Sequence, residues 1–225
     1  YCGARRSEKN GQPVDYQKYV YSIESKPGTQ VMIPAGTIHA RQTTLILEIG
    51  SLTVGSYTYK MYDYVRKDLD GNPRPIHTYH GDQVLDRSRT ADWVDQNLVN
   101  GGRRTLRKGK DWEEFVVGEH ELLYFSLRNE RFVTAIEDDT AGDFHVLTLV
   151  DGEQVLVRSK TNPERCFLQN YLDIVIVPAD FGPYEIINQK AGTVCVEHKT
   201  MLKPAGAEHE EENRDDGARR ADFSH

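Results

Sequence analysis

The sequence has 225 residues, of which 38% are hydrophobic, so it is long enough for one large β-domain core or two smaller ones. No apolar stretch approaches the roughly 18 residues that a membrane-spanning helix needs, which excludes a transmembrane helix. The net charge is −7, with an acidic segment at residues 208–216, and we expect no nucleic-acid partner because no basic face is present.

The three cysteines, Cys2, Cys166 and Cys195, are widely spaced and form no Cys-x-x-Cys pair. An odd count without a regular framework favours a reducing compartment, and the first residues contain no apolar signal-peptide core. We therefore predict a cytoplasmic protein with buried thiols, and a Cys166–Cys195 bridge stays open as the alternative.

The first half of the chain predicts short strands followed by one helix. Residues 15–23 do not distinguish a short helix from a strand. Runs of apolar, Tyr or Thr residues predict strands at 31–33, 45–49 and 56–64. Residues 89–99 predict a helix with Thr90 as its N-cap. Residues 100–110, rich in Gly and Arg, predict a solvated loop and mark the domain boundary.

The second half predicts strands at residues 121–134, 146–150, 155–157, 174–177, 184–187 and 194–198. The turn at Asp151 and Gly152 and the turn at 189–192 each predict a hairpin. Residues 205–225 predict a polar acidic tail with too little apolar surface to fold alone. Many short strands with regular turns indicate an all-β sandwich or barrel.

One motif carries candidate chemistry, and it runs from Gly28 to His39 with Pro34 and Gly36 between them. Gly28 permits a tight turn, Pro34 ends a strand because it cannot donate to a sheet, and Gly36 supplies a bend. His39 then begins the returning chain, where a barrel interior could receive a metal ligand. The alternative is a tight hairpin with a structural histidine. His120, His145 and His198 are interpreted as structural.

This motif matches the second cupin motif, and the segments after it narrow the family. These are Leu47-Glu48-Ile49, Tyr59-Lys60-Met61-Tyr62-Asp63-Tyr64-Val65-Arg66 and Arg74-Pro75-Ile76-His77. Together they resemble the class I phosphomannose isomerases. The resemblance implies two cupin-type double-stranded β-helix barrels with a short helical connector at 89–99. It places the metal-bearing first barrel at 1–100 and a degenerate second barrel at 101–204.

The resemblance also implies roles for individual residues. His39 would bind zinc, with the family's other ligands, a Gln-x-His pair and a Glu, expected upstream of Tyr1. Lys60 would stabilise an enediolate oxygen, and Glu48 would orient Lys60 or a sugar hydroxyl. Arg66 and Arg74 would bind phosphate. For Lys60, Glu48, Arg66 and Arg74 the alternative is a solvated side chain without a role in catalysis.

Two departures from the family pattern bear on function: no residues before Gly28 supply the Gln-x-His pair, and Lys60 differs from the usual residue. Lys60 stands where members usually carry Arg, which keeps the charge but loses the bidentate fork. In the second barrel, Leu172 and Asp180 replace the motif glycines and no His follows, which predicts a barrel kept for packing.

The implied function is an isomerase that interconverts mannose 6-phosphate and fructose 6-phosphate, with a phosphorylated hexose as partner and no membrane partner. The alternative is a non-catalytic sugar-binding or regulatory cupin. The oligomeric state stays open.

Overall fold

A computed structural model describes residues 2–40, 46–50, 58–99 and 103–203. The described part of the first half contains three α-helices: α1 (Cys2–Asn10), α2 (Thr78–Val84) and α3 (Ala91–Asn97). Helix α3 confirms the helix predicted at 89–99, although the Thr90 side chain makes no capping hydrogen bond. Residues 15–23 contain a short 3-10 helix, Tyr16–Lys18. None of the helices in the described ranges is long and apolar enough to cross a membrane.

Within the described part of residues 2–99, no segment forms one of the named strands. Val31 makes a single antiparallel bridge to Val99, and residues 46–49 and 58–64 have no strand assignment. Residue 45 and residues 56–57 of the predicted strands lie outside the described residues. A strand persists when its backbone N–H and C=O groups find a partner, and one bridge is too little. Of the two predicted barrels, the structure therefore shows one.

Ten strands form that barrel: β1 (Arg104–Lys108), β2 (Trp112–Gly118), β3 (Phe125–Phe132), β4 (Ala135–Asp139), β5 (His145–Asp151), β6 (Gln154–Ser159), β7 (Cys166–Asn170), β8 (Ile174–Val177), β9 (Pro183–Asn188) and β10 (Cys195–Leu202). A six-stranded sheet has the order β1-β2-β3-β10-β5-β8, and a four-stranded sheet has the order β4-β9-β6-β7. All pairs in both sheets are antiparallel. The strands confirm the all-β prediction for this half.

The apolar core lies between the two sheets. It includes Phe132, Leu147 and Leu149 from the six-stranded sheet, and Val155, Val157, Tyr184 and Ile186 from the four-stranded sheet. Their alternation along each strand points one side chain in two toward the facing sheet. Burial of this apolar surface holds the two sheets face to face.

Three local predictions for this half are wrong. Residues 104–108 form an edge strand instead of a loop, because they pair with β2 across a short turn. Their Arg and Lys side chains are typical of an edge strand. The turn at Gly152 joins β5 to β6, and residues 189–194 join β9 to β10. Each of these connections passes from one sheet to the other, so neither is a hairpin. A turn signal reports a reversal of the chain but does not specify the sheet that the next strand joins.

The degenerate motif of this barrel has a left-handed residue at one of its two replaced glycine positions. Leu172, which replaces the motif glycine, has a φ of 65°, a left-handed conformation that favours glycine. Strand β8 ends immediately before Pro178, as predicted. Leu172 therefore holds a backbone conformation that glycine adopts at lower cost.

The thiols differ from the prediction in one respect. Cys166 and Cys195 are both free, so the alternative bridge does not form. Cys195 is buried as predicted, and burial raises the pKa of its thiol to about 11. Cys166 is exposed, because β7 is an edge strand and this position points outward. The acidic tail at 205–225 lies outside the described residues.

Candidate functional site

His39, the predicted zinc ligand, lies in an exposed stretch without regular structure. Its Nδ1 atom is 3.0 Å from the carbonyl oxygen of Thr37. When Nδ1 donates to this carbonyl, the lone pair is on Nε2, the arrangement in which neutral imidazole binds a metal. His39 therefore fits one position of a zinc site. Within the described ranges it belongs to no group of three His, Cys, Asp or Glu side chains close enough to share an ion.

The turn before His39 is held by Arg89, which sequence reasoning missed. The Arg89 guanidinium donates to the carbonyl oxygens of Pro34 at 3.1 Å and Ala35 at 2.7 Å. Gly36 has a φ of 84°, and a Cβ there would lie 2.8 Å from the carbonyl oxygen of Val84. The motif glycine is needed both for its backbone angle and for close packing.

Asp63 brings Lys60 and Arg74 together. Its buried Oδ2 atom is 3.7 Å from Lys60 Nζ and 3.0 Å from Arg74 Nε. The backbone of Lys60 also pairs with His77, because the Lys60 N–H donates to His77 Nδ1 at 3.2 Å and the His77 N–H donates to the Lys60 carbonyl at 2.7 Å. Two predicted site residues thus share one carboxylate, which sequence reasoning did not single out although it lies within the quoted motif.

Arg66 lies next to this group. Its backbone carbonyl accepts a hydrogen bond from the Arg74 N–H at 3.0 Å, and its exposed guanidinium lies 5.7 Å from the centre of the Tyr64 ring. Arg66, Arg74 and Asp63 line one shallow cleft beside α1. Lys60 and Arg74 contact the Asp63 carboxylate, and Arg66 lines the same cleft, so positive charge exceeds negative charge here, which suits a phosphate group.

Glu48 is exposed and lies in no strand among the described residues. The structure describes no contact that joins it to Lys60 or to His39. The predicted site residues therefore fall into three places: the Asp63 group with Lys60, Arg66 and Arg74, and the separate positions of His39 and Glu48.

A second cluster of charged residues lies inside the barrel of the second half. Glu114 on β2, Glu130 on β3 and Glu197 on β10 are direct cross-strand neighbours, and all three are buried. Asp138 on β4 faces this row from the other sheet. Buried carboxylates are costly unless they are paired, so the row requires cations beside it.

Lys199 on β10 supplies the central cation. Its fully buried Nζ lies 2.8 Å from Glu114 Oε1 and 2.7 Å from Glu130 Oε1, and it also donates to Asp138 Oδ2. Burial would lower the pKa of Lys199, but the charges of Glu130, Asp138 and Glu114 outweigh burial and raise it. One ammonium group thus joins three strands and both sheets.

Two arginines complete the charge balance. Arg107 on β1 donates to Glu114 and lies 3.3 Å from Asp138 Oδ1, and Arg128 Nη1 lies 3.3 Å from Glu114 Oε1. Three cations therefore face the three carboxyl groups of Glu114, Glu130 and Asp138.

His145 and Tyr184 border the same cluster. His145 Nδ1 is 2.8 Å from the Tyr184 hydroxyl, which donates to Asp138 Oδ2 at 3.3 Å. Burial lowers the pKa of His145 and raises that of Tyr184 well above its ordinary value, so both are neutral at physiological pH. Their mutual hydrogen bond lies beside the charged cluster, which agrees with the interpretation of His145 as structural.

Glu114, Glu130 and Asp138 are also the group within the described residues whose oxygen atoms lie within 4.8 Å of one another, the spacing that can hold a metal ion. Oxygen-only donors suit a hard cation such as Mg²⁺ or Mn²⁺ better than zinc, which prefers nitrogen and sulfur in closed sites. This acidic triad could bind a metal by its spacing, but the Lys199 ammonium already contacts all three side chains.

Sequence reasoning missed this cluster although a signal was present. On β3, residues 126, 128, 130 and 132 are buried or half-buried on one face, and they include Arg128 and Glu130. On β10 the alternate residues 195, 197 and 199 are all buried, and two are charged. Charged residues at the inward positions of a predicted strand indicate a polar interior.

The two antiparallel sheets, with the polar cluster joining them, form an all-β body. No protein-family model matches the sequence. The chain is 27% identical over 174 residues to the Bacillus subtilis (strain 168) protein named "Putative mannose-6-phosphate isomerase YvyI", over 76% of this chain and 50% of that protein. It is 31% identical over 72 residues to Mannose-6-phosphate isomerase ManA of the same strain, over 32% of this chain and 22% of ManA.

The chain is therefore a distant homologue of proteins named as mannose-6-phosphate isomerases, which confirms the resemblance predicted from its motifs. It spans half or less of the length of these relatives. Among solved structures, the mannose 6-phosphate isomerase from Bacillus subtilis has a TM-score of 0.47 at 19% identity and covers 63% of this chain and 39% of that chain. The Schizosaccharomyces pombe Cnp3 cupin domain has a TM-score of 0.32 at 14% identity and covers 41% of this chain and 61% of that chain.

Proposed function

We propose that this chain contributes to an aldose–ketose isomerase that interconverts mannose 6-phosphate and fructose 6-phosphate. The observation that carries the proposal is the similarity to YvyI over 76% of the chain. The basic group around Asp63 supports it, since a phosphorylated sugar needs cations. In this proposal residues 1–100 belong to a metal-bearing first cupin barrel and residues 101–204 to a second barrel, in a cytoplasmic protein.

The reaction moves a proton between C1 and C2 of the sugar through an enediol, so charge develops on a sugar oxygen in the transition state. Lys60 would stabilise that oxygen, and Arg66 and Arg74 would bind the phosphate. Glu48 would orient Lys60 or a sugar hydroxyl. His39 would be one ligand of a zinc ion, which when bound offsets the charge that develops on the sugar oxygens.

Replacing Lys60 tests the catalytic assignment. Lys60→Met keeps much of the length and removes the charge, so we expect the turnover number to fall roughly 100-fold with little change in Michaelis constant. Lys60→Arg should be milder. A coupled assay of fructose 6-phosphate formation measures both constants. Lys160→Met is the matched control, because Lys160 pairs with Glu137 at 2.7 Å on the other barrel. Equal losses in Lys60→Met and Lys160→Met would contradict the assignment.

Replacing His39 tests the metal assignment independently of activity. His39→Ala should lose most of the bound zinc, because a closed ligand set loses one member. Metal analysis of the purified protein measures the zinc content. The control is His80→Ala, since His80 is an exposed histidine stacked on Tyr59. Unchanged zinc in His39→Ala would remove this histidine from the site.

The rival function is a non-catalytic sugar-binding or regulatory cupin. It is favoured by the ion pairs of Lys60 and Arg74 with Asp63, which hold both cations on a protein carboxylate. Calorimetry distinguishes the two functions. Mannose 6-phosphate binding that Arg74→Ala abolishes, in a protein without measurable isomerase turnover, would establish the rival.

A further inference from the structure

The interior of the second barrel contains a cation bound in the way that metal ions are bound. Three carboxyl groups, from β2, β3 and β4, converge on the Lys199 ammonium, and two of the contacts measure 2.7 and 2.8 Å. The Lys199 side chain is 1% exposed, so it does not exchange this position for solvent. The ammonium also bridges the two sheets, because Asp138 belongs to the four-stranded one.

A divalent ion and this ammonium exclude each other. Lys199, Arg107 and Arg128 already face the three carboxyl groups, so a metal ion would add two positive charges that nothing in this buried interior offsets. One atom of the site is nevertheless free: Glu130 Oε2 is buried and has no hydrogen-bond partner in the part of the chain that the structure describes. A carboxylate that uses one oxygen keeps a second oxygen for a metal.

We propose that the second barrel is a cation site whose resident cation is the Lys199 ammonium, and that Glu114, Glu130 and Asp138 bind a hard divalent cation such as Mn²⁺ when this ammonium is removed. The barrel therefore does not depend on a metal in the natural protein. This inference is independent of the proposed isomerase activity and of the zinc at His39.

Manganese binding by Lys199 variants of the full chain tests the proposal. At pH 8, Lys199→Ala and Lys199→Gln should each bind about one equivalent of Mn²⁺ more than the natural protein, as measured by metal analysis after gel filtration. Saturating Mn²⁺ should raise their melting temperatures by roughly 5 °C or more and leave that of the natural protein within about 1 °C. A variant that folds only when Mn²⁺ is added supports the proposal as well.

The double variant Lys199→Ala with Glu130→Gln is the matched control, since it removes the ammonium and one carboxylate together. It should gain no Mn²⁺ beyond the natural protein. A folded Lys199→Ala or Lys199→Gln protein without additional Mn²⁺ would overturn the proposal, as would the failure of both variants to fold in Mn²⁺. Binding of Mn²⁺ by the natural protein that Glu130→Gln abolishes would also overturn it.

Discussion

Two carboxyl groups that share the Lys199 ammonium have opposite pKa shifts. Complete burial raises the pKa of Glu130 to about 8, although the Lys199 charge opposes this effect. Burial alone would also raise the pKa of Asp138, but the charge and hydrogen bond of Lys199 lower it to about 2. Near neutral pH Asp138 is therefore ionised, whereas Glu130 holds a proton more readily than Asp138 does.

His198 gives the barrel a specific sensitivity to acid. Burial lowers its pKa to about 4, and its Nδ1 has no hydrogen-bond partner among the described residues. Histidine in the unfolded chain has a pKa near 6.5. Between about pH 6.5 and pH 4 the unfolded state therefore binds a proton at this position and the native state does not. The contribution of neutral His198 is complete above about pH 6.5 and is lost as the pH falls toward 4. We expect this loss to be about 2–3 kcal/mol.

Urea denaturation at pH 7 and at pH 4.5 measures this contribution. His198→Gln should reduce the difference in unfolding free energy between the two pH values, since the glutamine does not titrate. His80→Gln is the control for an exposed histidine. If both variants keep the full pH dependence of the natural protein, the acid sensitivity arises elsewhere, and His145, whose pKa burial also lowers, would be the next candidate.

At the scale of elements, the connection from β5 to β6 depends on a glycine. Gly152 has a φ of 104°, and a Cβ on it would lie 2.6 Å from Cys195 Sγ. Gly152→Ala should therefore destabilise the protein by about 2–4 kcal/mol, through backbone strain and overpacking together. Gly142→Ala is the matched control. Gly142 also has a positive φ, of 92°, but no atom lies within 4 Å of its added Cβ, so we expect about 1 kcal/mol.

Thermal or urea denaturation of both glycine variants measures the difference. Adding Cys195→Ala to each variant separates the two causes, because it removes the sulfur that the new Cβ would meet. The cost of Gly152→Ala should then approach that of Gly142→Ala. Equal costs in the presence of Cys195 would show that the backbone conformation alone matters at this turn.

The same turn shows how much of the fold could be predicted. Strands β5, β6, β8 and β9 were predicted close to their observed bounds, because each is a short apolar run bounded by turn residues. Gly152 indicated the reversal but not the change of sheet, which depends on contacts with residues far away in sequence. Strand β1 was predicted as a loop, because its Arg and Lys side chains resemble those of a solvated segment.

The candidate site was predictable only where its geometry depends on residues that are close in sequence. The Gly28 to His39 motif gives the turn because its spacing is local, and Gly36 has the backbone angle that the motif requires. The partners of the motif residues are distant: Arg89 holds the turn, and Asp63 holds both Lys60 and Arg74. Lys199 and Glu130 are 69 residues apart in sequence, so only the pairing of β3 with β10 brings them together.

In the whole molecule, the distribution of strands between the two halves predicts which half folds cooperatively. All ten strands lie within residues 104–202, and each of their pairings is made inside this range. The apolar core and the Lys199 cluster are also made entirely of residues from this range. The contacts from the first half include the approach of the Trp93 and His120 rings, whose centres are 6.1 Å apart. A single aromatic contact of this kind contributes about 1 kcal/mol.

We therefore expect residues 103–203, produced alone, to fold into a stable β-protein, since about 100 residues suffice to bury a core. Circular dichroism should show β-structure, and urea should unfold it in one cooperative transition with about 5–10 kcal/mol of stability. Trp93→Ala in the full chain is the companion measurement, and it should change the stability of this transition by about 1 kcal/mol or less. An isolated segment that stays unfolded, together with a large loss in Trp93→Ala, would mean that the barrel requires the first half as a packing partner.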